Sequence, residues 1–434
     1  MAEAKELLNR VSFSDMKRRQ FIKSVSAAAG AAVLFPSTGS MMSGCTRLAV
    51  DGKRDFDEIL DRSGTWSIKY GRASQGQIPM WIADMDFRTA PAISSALKNR
   101  VDQGVLGYTS VPEMYYDSIV EWETNMHHWP VKKEWVAYCP GVITSINQAY
   151  LTFTSPGDSI IVQPPVYDHF RKYAEGLGRR VIDNPLVFDG ERYRMDFDKL
   201  DRLLLDESVK MLVLCNPHNP CGTVWDEGTL RRLALMCRQR GVLVISDEIH
   251  GDLTLPGKQH VPFCSVSDDA AAVGLVFTGP TKAFNLAGIG MTAYCVIPNE
   301  ALRETYFKQL NDTKLNEAPL ASLVATIAAY TQGAPWLQSL QEYLQGNIRE
   351  VMDFFSTNHV GIKAIKPEAS FLVWLDCRGM GLTQDELMRF FTDRAKLLLS
   401  NGAAYGPGGE GFVRMNIGCP RSLVKEALSR ISNA

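Results

Sequence analysis

Three stretches of this chain end in groups that can do chemistry together. Lys282 stands in Phe277-Thr278-Gly279-Pro280-Thr281-Lys282-Ala283-Phe284-Asn285-Leu286-Ala287-Gly288, after an apolar, strand-like run (271–277) and a small-residue turn. Asp247 follows the apolar run 242–246 and leads into Glu248-Ile249-His250. Asn216 follows the run 210–215 and opens Asn216-Pro217-His218-Asn219-Pro220, where the prolines fix a turn and expose amide side chains. In α/β proteins ligands bind at the carboxyl ends of buried strands, and a lysine desolvated there can form a Schiff base. Taken singly, each residue has an ordinary reading. Most lysines are surface charges, and aspartate is a good helix cap.

A fourth stretch, Pro140-Gly141-Val142-Ile143-Thr144, precedes a helical run at 145–153. Backbone N–H groups at Gly141, Val142 and Ile143 can hold a phosphate at that helix N-terminus. A lysine for an aldehyde, a carboxylate for a ring nitrogen and a phosphate cradle are what pyridoxal phosphate requires. Asp247 then keeps the ring nitrogen protonated, and Asn216 donates to the ring hydroxyl oxygen. Tyr167, in Gln163-Pro164-Pro165-Val166-Tyr167, stacks on the ring face or is an ordinary core or surface aromatic.

The elements that must position these groups alternate. Apolar runs at 159–163, 210–215, 242–246, 272–277 and 291–297 are separated by helical patterns such as 226–240, with Leu230, Leu233 and Cys237 on one face. That alternation predicts an α/β fold with a mainly parallel, buried sheet. The C-terminal part changes character. Strands at 371–375 and 412–417, with helices at 384–395 and 422–431, predict a smaller α+β domain, and a helical stretch at 316–349 bridges the two.

The 434 residues carry a formal net charge of −2, with 45% hydrophobic and 22% charged residues, enough material for two domain cores and no case for nucleic acid as a partner. The nine cysteines form no CxxC pair, and the seven histidines are scattered, so no metal site is expected. The N-terminus differs. Lys17-Arg18-Arg19-Gln20-Phe21-Ile22-Lys23 precedes a short apolar stretch, 24–35, as in a twin-arginine export signal, and Met42-Ser43-Gly44-Cys45 resembles a loose lipobox. The alternative is an amphipathic N-terminal helix, and Met16 is a second candidate start. The expectation is export, periplasmic or anchored to a membrane through a lipid on Cys45, if residues 1–45 act as a signal. Without it the protein is cytoplasmic.

From about residue 50 onward the chain resembles pyridoxal-phosphate enzymes of fold type I, in the class I/II aminotransferase superfamily. It is most similar to the PatB/MalY-type cystathionine β-lyase branch. The matching pieces, in the family's order, are residues 79–87, Gly107-Tyr108-Thr109, Pro140-Gly141-Val142, Pro164-Pro165-Val166-Tyr167, 215–220, 246–250, 281–288 and 411–417. The resemblance implies a large domain (97–337) built on a mainly parallel seven-stranded sheet, a small α+β domain (46–96 and 338–434) and a homodimer. It implies that Lys282 is the Schiff-base lysine and proton carrier, that Asp247 pairs with the ring nitrogen, and that Asn216 contacts the ring oxygen. Arg414 binds the substrate carboxylate, Trp81 lies in the substrate site, and Tyr108 reaches a cofactor phosphate across the dimer interface.

Two positions discriminate within that superfamily. Aminotransferases carry a tyrosine three residues after the ring-nitrogen aspartate; here His250 stands there, as in the carbon–sulfur lyases. The serine that often binds phosphate three residues before the lysine is Gly279, which leaves Thr278 and Thr281 as substitutes. The expected activity is β-elimination of cystathionine or related cysteine S-conjugates to thiol, pyruvate and ammonia. A pyridoxal-phosphate aminotransferase on the same scaffold is the alternative, and a regulatory protein that merely keeps the scaffold is a third reading.

Overall fold

Aliphatic strands buried on both faces build the centre of the molecule. The computed structural model describes residues 56–358 and 360–434; the export segment and lipobox expected at residues 1–45 lie outside the described residues. Val136–Cys139, Ser159–Val162, Arg180–Asp183, Val209–Cys215, Leu243–Asp247 and Gly274–Thr278 run in one direction. Ala293–Val296 is antiparallel between the first and last of these, giving a seven-stranded sheet. The order across it is 136–139, 293–296, 274–278, 243–247, 209–215, 159–162, 180–183. Helices cover both faces, as a mainly parallel sheet requires.

Register on the three central strands matters most. Cys215 pairs with Asp247, and Asp247 with Phe277. Successive side chains on a strand point to opposite faces. Val213, Cys215, Ile245, Leu275 and Phe277 pack on one face, and Leu212, Leu214, Val244 and Val276 on the other.

Local signals place the helices. Asp226 caps Glu227–Arg240 by accepting from the Thr229 N–H at 2.8 Å, and the helix stops at Gly241, whose φ is 66°. Two expected elements differ. The run 271–277 begins as a helix, Asp268–Val273, and the strand starts only at Gly274. Ser267 caps that helix, two aspartates sit at its positive end and three alanines follow, all of which favour helix over strand. The bridge at 316–349 is two helices, Leu320–Gln332 and Ala334–Thr357, broken at Gly333, where an added Cβ would lie 2.4 Å from the Phe284 ring. The expected helix at 384–395 is α-helical only over Gln384–Arg389 and continues as a π-helical turn, Phe390–Arg394.

A four-stranded antiparallel sheet, in the order Lys363–Ile365, Leu372–Asp376, Phe412–Asn416, Ser400–Asn401, has its own apolar core with the helix Arg421–Ser432. Ile78 and Met80 join that core from far upstream, and Ile78–Pro79 pairs in parallel with Leu397–Leu398. All described residues fall in one compact unit.

Candidate active site

A cleft of about 840 Å³ opens where the central strands end. Lys282, Asp247, His250, Tyr167, Thr281, Trp81, Arg414 and the turn Gly141, Val142, Ile143 all line it. Residues expected to act together from six separated stretches therefore meet at one place.

Lys282 is buried, and its Nζ donates to the Ala83 carbonyl at 2.7 Å. The segment that carries this carbonyl is pinned from both sides. Asn416 donates to the Ile82 and Asp84 carbonyls at 2.6 Å each, while Asn285 accepts from the Met85 N–H and donates to the Met85 and Phe87 carbonyls. Below it, buried Lys69 binds Asp86 at 2.8 Å, and Arg62 holds the other carboxylate oxygen at 3.1 Å.

Burial lowers the Lys282 amine to about 8, and the Arg414 charge adds to this against the opposing pull of Asp84 and Asp247. Burial raises the Asp247 carboxyl to about 7, although the Ile249 N–H and Lys282 favour its anion. An anionic carboxylate with so little local support is suited to a cationic partner in the cleft. His250 is pushed down to about 3, first by burial and then by Lys282 and Arg414, so it stays neutral at physiological pH. Its Nδ1 is buried without a partner.

Arg414 is buried in the middle of the strand Phe412–Asn416. One amino group donates to Asn219 Oδ1 at 2.8 Å and the other to the Trp81 carbonyl at 2.8 Å, while Nε has no partner. Among the described residues no carboxylate lies within ion-pair distance of it, and a guanidinium with free donors fits a ligand carboxylate. Gly141, with φ 86°, caps the helix Val142–Phe153, and an added Cβ there would meet nothing within 4 Å; its own N–H, expected as a phosphate donor, instead donates to the Cys139 carbonyl at 2.9 Å, which leaves Val142 and Ile143 of the cleft wall for that role. Tyr167 also lines the cleft, with one ring face covered by His169 at a centroid distance of 4.6 Å.

Three expected site residues stand elsewhere. Asn216 is buried outside the cleft; its amide donates to the Val261 carbonyl at 3.0 Å and to Glu248 Oε1 at 3.4 Å. It follows Cys215, which faces the cleft, so strand alternation turns Asn216 to the opposite face. Asn219 takes the cleft position, and the second Asn-Pro pair of that turn was the signal for it. Thr278 fails by the same alternation: it follows Phe277, and its hydroxyl donates to the Glu248 carbonyl at 3.1 Å. Tyr108 is fully exposed at 111% and does not line the cleft of its own chain.

Gly279 has a steric reason. A side chain there would place its Cβ 2.2 Å from the Thr292 carbonyl oxygen, so a serine does not fit this backbone. Thr281 is the hydroxyl that remains in the cleft, paired with the Thr292 hydroxyl at 2.7 Å. Sequence reasoning also missed the Ala83 carbonyl, Ser400, which donates to the Trp81 carbonyl at 2.6 Å, and Arg72 at the mouth.

A seven-stranded, mainly parallel sheet with lysine, aspartate and a helix N-terminus at its strand ends defines a class of enzyme scaffold. Residues 79–431 match the family model for aminotransferase class I and II, and the chain belongs to that family. Within it the likeness is to the PatB/MalY type. The chain is 40% identical over 385 residues to cystathionine beta-lyase PatB of Bacillus subtilis, covering 88% of this chain and 99% of PatB. It is 33% identical to protein MalY of Escherichia coli, covering 88% and 98%. Among solved structures it is similar to cystalysin from Treponema denticola, whose crystals contain pyridoxal 5'-phosphate. There the TM-score is 0.84 at 32% identity, covering 87% of this chain and 98% of that one.

Proposed function

We propose that the protein is a pyridoxal-phosphate-dependent carbon–sulfur β-lyase acting on cystathionine or related cysteine S-conjugates. The observation that carries this reading is the convergence of Lys282, Asp247 and the partly unpaired Arg414 on one cleft. The residues fit the cofactor. The helix N-terminus at Gly141 has room for a phosphate, Asp247 is a buried carboxylate wanting a cation, and Lys282 is an amine lowered to about 8. Bound there, the cofactor supplies an electron sink for the pair released at the substrate Cα.

The chain's own groups do the rest. Arg414 binds the α-carboxylate and fixes the amino acid's orientation. Lys282 Nζ takes the Cα proton, and its lowered pKa leaves a useful fraction of neutral amine near pH 7. Asp247 anchors the ring nitrogen as the anion. Tyr167 would cover one face of the cofactor ring, and the Thr281 hydroxyl would join the N–H groups of Val142 and Ile143 in holding its phosphate. Loss of the proton at Cα lets the Cβ–S bond break with its electrons going to sulfur. The thiol leaves, and with one water the remainder becomes pyruvate and ammonia. Neutral His250, where aminotransferases carry a tyrosine, favours elimination over transfer.

Lys282→Ala should abolish both the long-wavelength absorbance of bound cofactor and pyruvate release from cystathionine; retention of either overturns the assignment. Pyruvate and thiol formed without any keto-acid acceptor mark a lyase, whereas turnover that requires a keto acid marks an aminotransferase.

We propose further that the working unit is a homodimer. Val105, Leu106 and Tyr108 stand exposed on one loop, where a second copy would bring its Tyr108 to this cleft. A monomer at assay concentration by sedimentation would refute this. The twin-arginine-like segment supports export of the folded, cofactor-loaded protein, with Cys45 as the lipidated residue. An unmodified mature N-terminus other than Cys45 by mass spectrometry would remove the lipid.

A further inference from the structure

Four side-chain cations other than histidine line the cleft: Arg72, Lys172, Lys282 and Arg414. Three have their roles accounted for. Lys172 is ion-paired with Asp168, which also binds His169. Lys282 is the reactive amine, and Arg414 is committed to the α-carboxylate. Arg72 stacks its guanidinium over the Trp81 ring, 4.7 Å from the centroid, and among the described residues that guanidinium has no carboxylate or hydrogen-bond partner. The backbone that carries it is held. Arg72 ends the short helix Ile68–Gly71, whose Lys69 is locked onto Asp86 and whose Lys69 carbonyl accepts from Trp81 Nε1 at 3.1 Å. Trp81 thus joins the two guanidiniums: its carbonyl accepts from Arg414 and its ring carries Arg72.

We propose that Arg72 is a specificity-determining residue that binds a carboxylate on the leaving-group half of the substrate. The inference rests on the lyase reading and sharpens it. With Asp168 cancelled by Lys172 and Asp247 committed to the ring nitrogen, the wall shared by Trp81 presents two positive charges. A single α-carboxylate satisfies one of them. A cysteine thioether with an acid at its far end satisfies both, so the preferred substrates are S-conjugates with a distal carboxylate rather than S-alkyl cysteines. Arginine suits the task because its planar fork stacks on an aromatic ring while its edge still donates to a carboxylate.

The test uses the full-length, cofactor-loaded enzyme and two near-isosteric substrates, S-(3-carboxypropyl)-L-cysteine and S-butyl-L-cysteine, with pyruvate release as the readout. The parent enzyme should favour the acid, and Arg72→Met should reduce the ratio of the two kcat/KM values on the order of tenfold, the range of a charge-assisted hydrogen bond. The change should fall mainly on KM, because the contact is the same in ground and transition states. Arg72→Lys should restore part of the preference. Equal loss for both substrates, or a parent enzyme with no preference, overturns the role of Arg72 and leaves the lyase reading standing. Pyruvate from neither substrate with the parent enzyme defeats the lyase reading and this inference with it.

Discussion

The same three strand ends carry two opposite arrangements of polar groups, one on each face of the sheet. On the cleft face, Asp247 has one backbone donor and His250 Nδ1 has none, and Arg414, which lines the cleft from the four-stranded sheet, keeps a free Nε. On the other face Glu248 is crowded with donors: Ser246 at 2.6 Å, the Phe263 N–H at 2.8 Å, His260 at 2.8 Å and Asn216 at 3.4 Å. Beyond it, edge-on to the His260 ring at 5.1 Å, lies His127, which pairs with Asp252, itself bound by Trp122; Tyr294 donates to Glu123 nearby. Buried polar groups cost free energy when unpaired. Of these far-face groups only Asn216 Oδ1 and His260 Nδ1 stay open while the Glu248 carboxylate is saturated with donors, so its charge is spent on the fold; the cleft face leaves its charged groups short of partners and holds them for a ligand. Adjacent residues, Asp247 and Glu248, fall on either side of that division.

The sharpest way to break this comparison is to exchange the faces' expected phenotypes. Asp247→Asn should lower kcat by about two to three orders of magnitude, the scale for losing one preorganised charge at a reacting centre, with little change in thermal midpoint. Asn216→Ala should do the reverse, costing about 1–3 kcal/mol of stability through the unsatisfied Glu248 and Val261 acceptors while kcat stays within its order of magnitude. Steady-state pyruvate release and denaturant unfolding on the same two variants decide it. A large kcat loss in Asn216→Ala would mean the amide reaches the cofactor after all.

Glu248→Gln probes the satisfied face directly. The amide cannot accept all four of its present donors, so the variant should unfold about 1–3 kcal/mol earlier, with cofactor absorbance retained. Loss of absorbance at unchanged stability would instead place Glu248 in the chemistry.

What the sequence made legible follows from range. Strands, their alternation with helices, and the strand-end placement of Lys282, Asp247 and His250 are local properties of apolar runs and the residues that close them. Arg414, Tyr167 and the Gly141 turn came from ordered motifs. The misassigned residues turned on a one-residue parity. Asn216 lies one step past cleft-facing Cys215, and Thr278 one step past Phe277, which packs on the same face as Cys215; a shift of one flips the face of a strand. No periodicity announces where a strand hands over to a turn, so Asn219 and Asn216 could not be told apart. The network on the far face was hidden for another reason. Glu123 and His127 come from the helix Glu113–His127 and meet Asp252 and Tyr294 more than 100 residues away, a juxtaposition that only the packed sheet creates. Gly279 was noticed as an absence, but its cause, the Thr292 carbonyl, sits on a neighbouring segment.

pH should move the two faces in opposite senses. Burial alone would lower His127, yet its hydrogen bond to Asp252 and the carboxylates of Glu123, Asp252 and Glu248 raise it to about 9. A histidine raised on folding contributes stability that is complete below its unfolded value near 6.5 and is lost as pH rises towards 9. Glu123, raised to about 7 by burial against the pull of His127 and the Tyr294 hydrogen bond, works in the same direction at lower pH. The thermal midpoint should therefore fall between pH 7 and 9, and the difference between parent and His127→Gln should shrink over that window, because the variant lacks the titrating ring. On the cleft face the neutral fraction of Lys282 grows through about 8 instead of 10.5. The rate at which cofactor-free protein takes up pyridoxal phosphate should rise across the same window and level off above it. Lys282 also has a stability term of the opposite sign, gained from about 8 upward because its folded value is lowered. Subtracting the His127→Gln curve removes that shared term, so the difference isolates the far face. A parent-minus-variant difference that stays flat, with uptake still climbing, would show that His127 gives up its proton in the folded protein at the same pH as in the unfolded chain, and that only the cleft is perturbed.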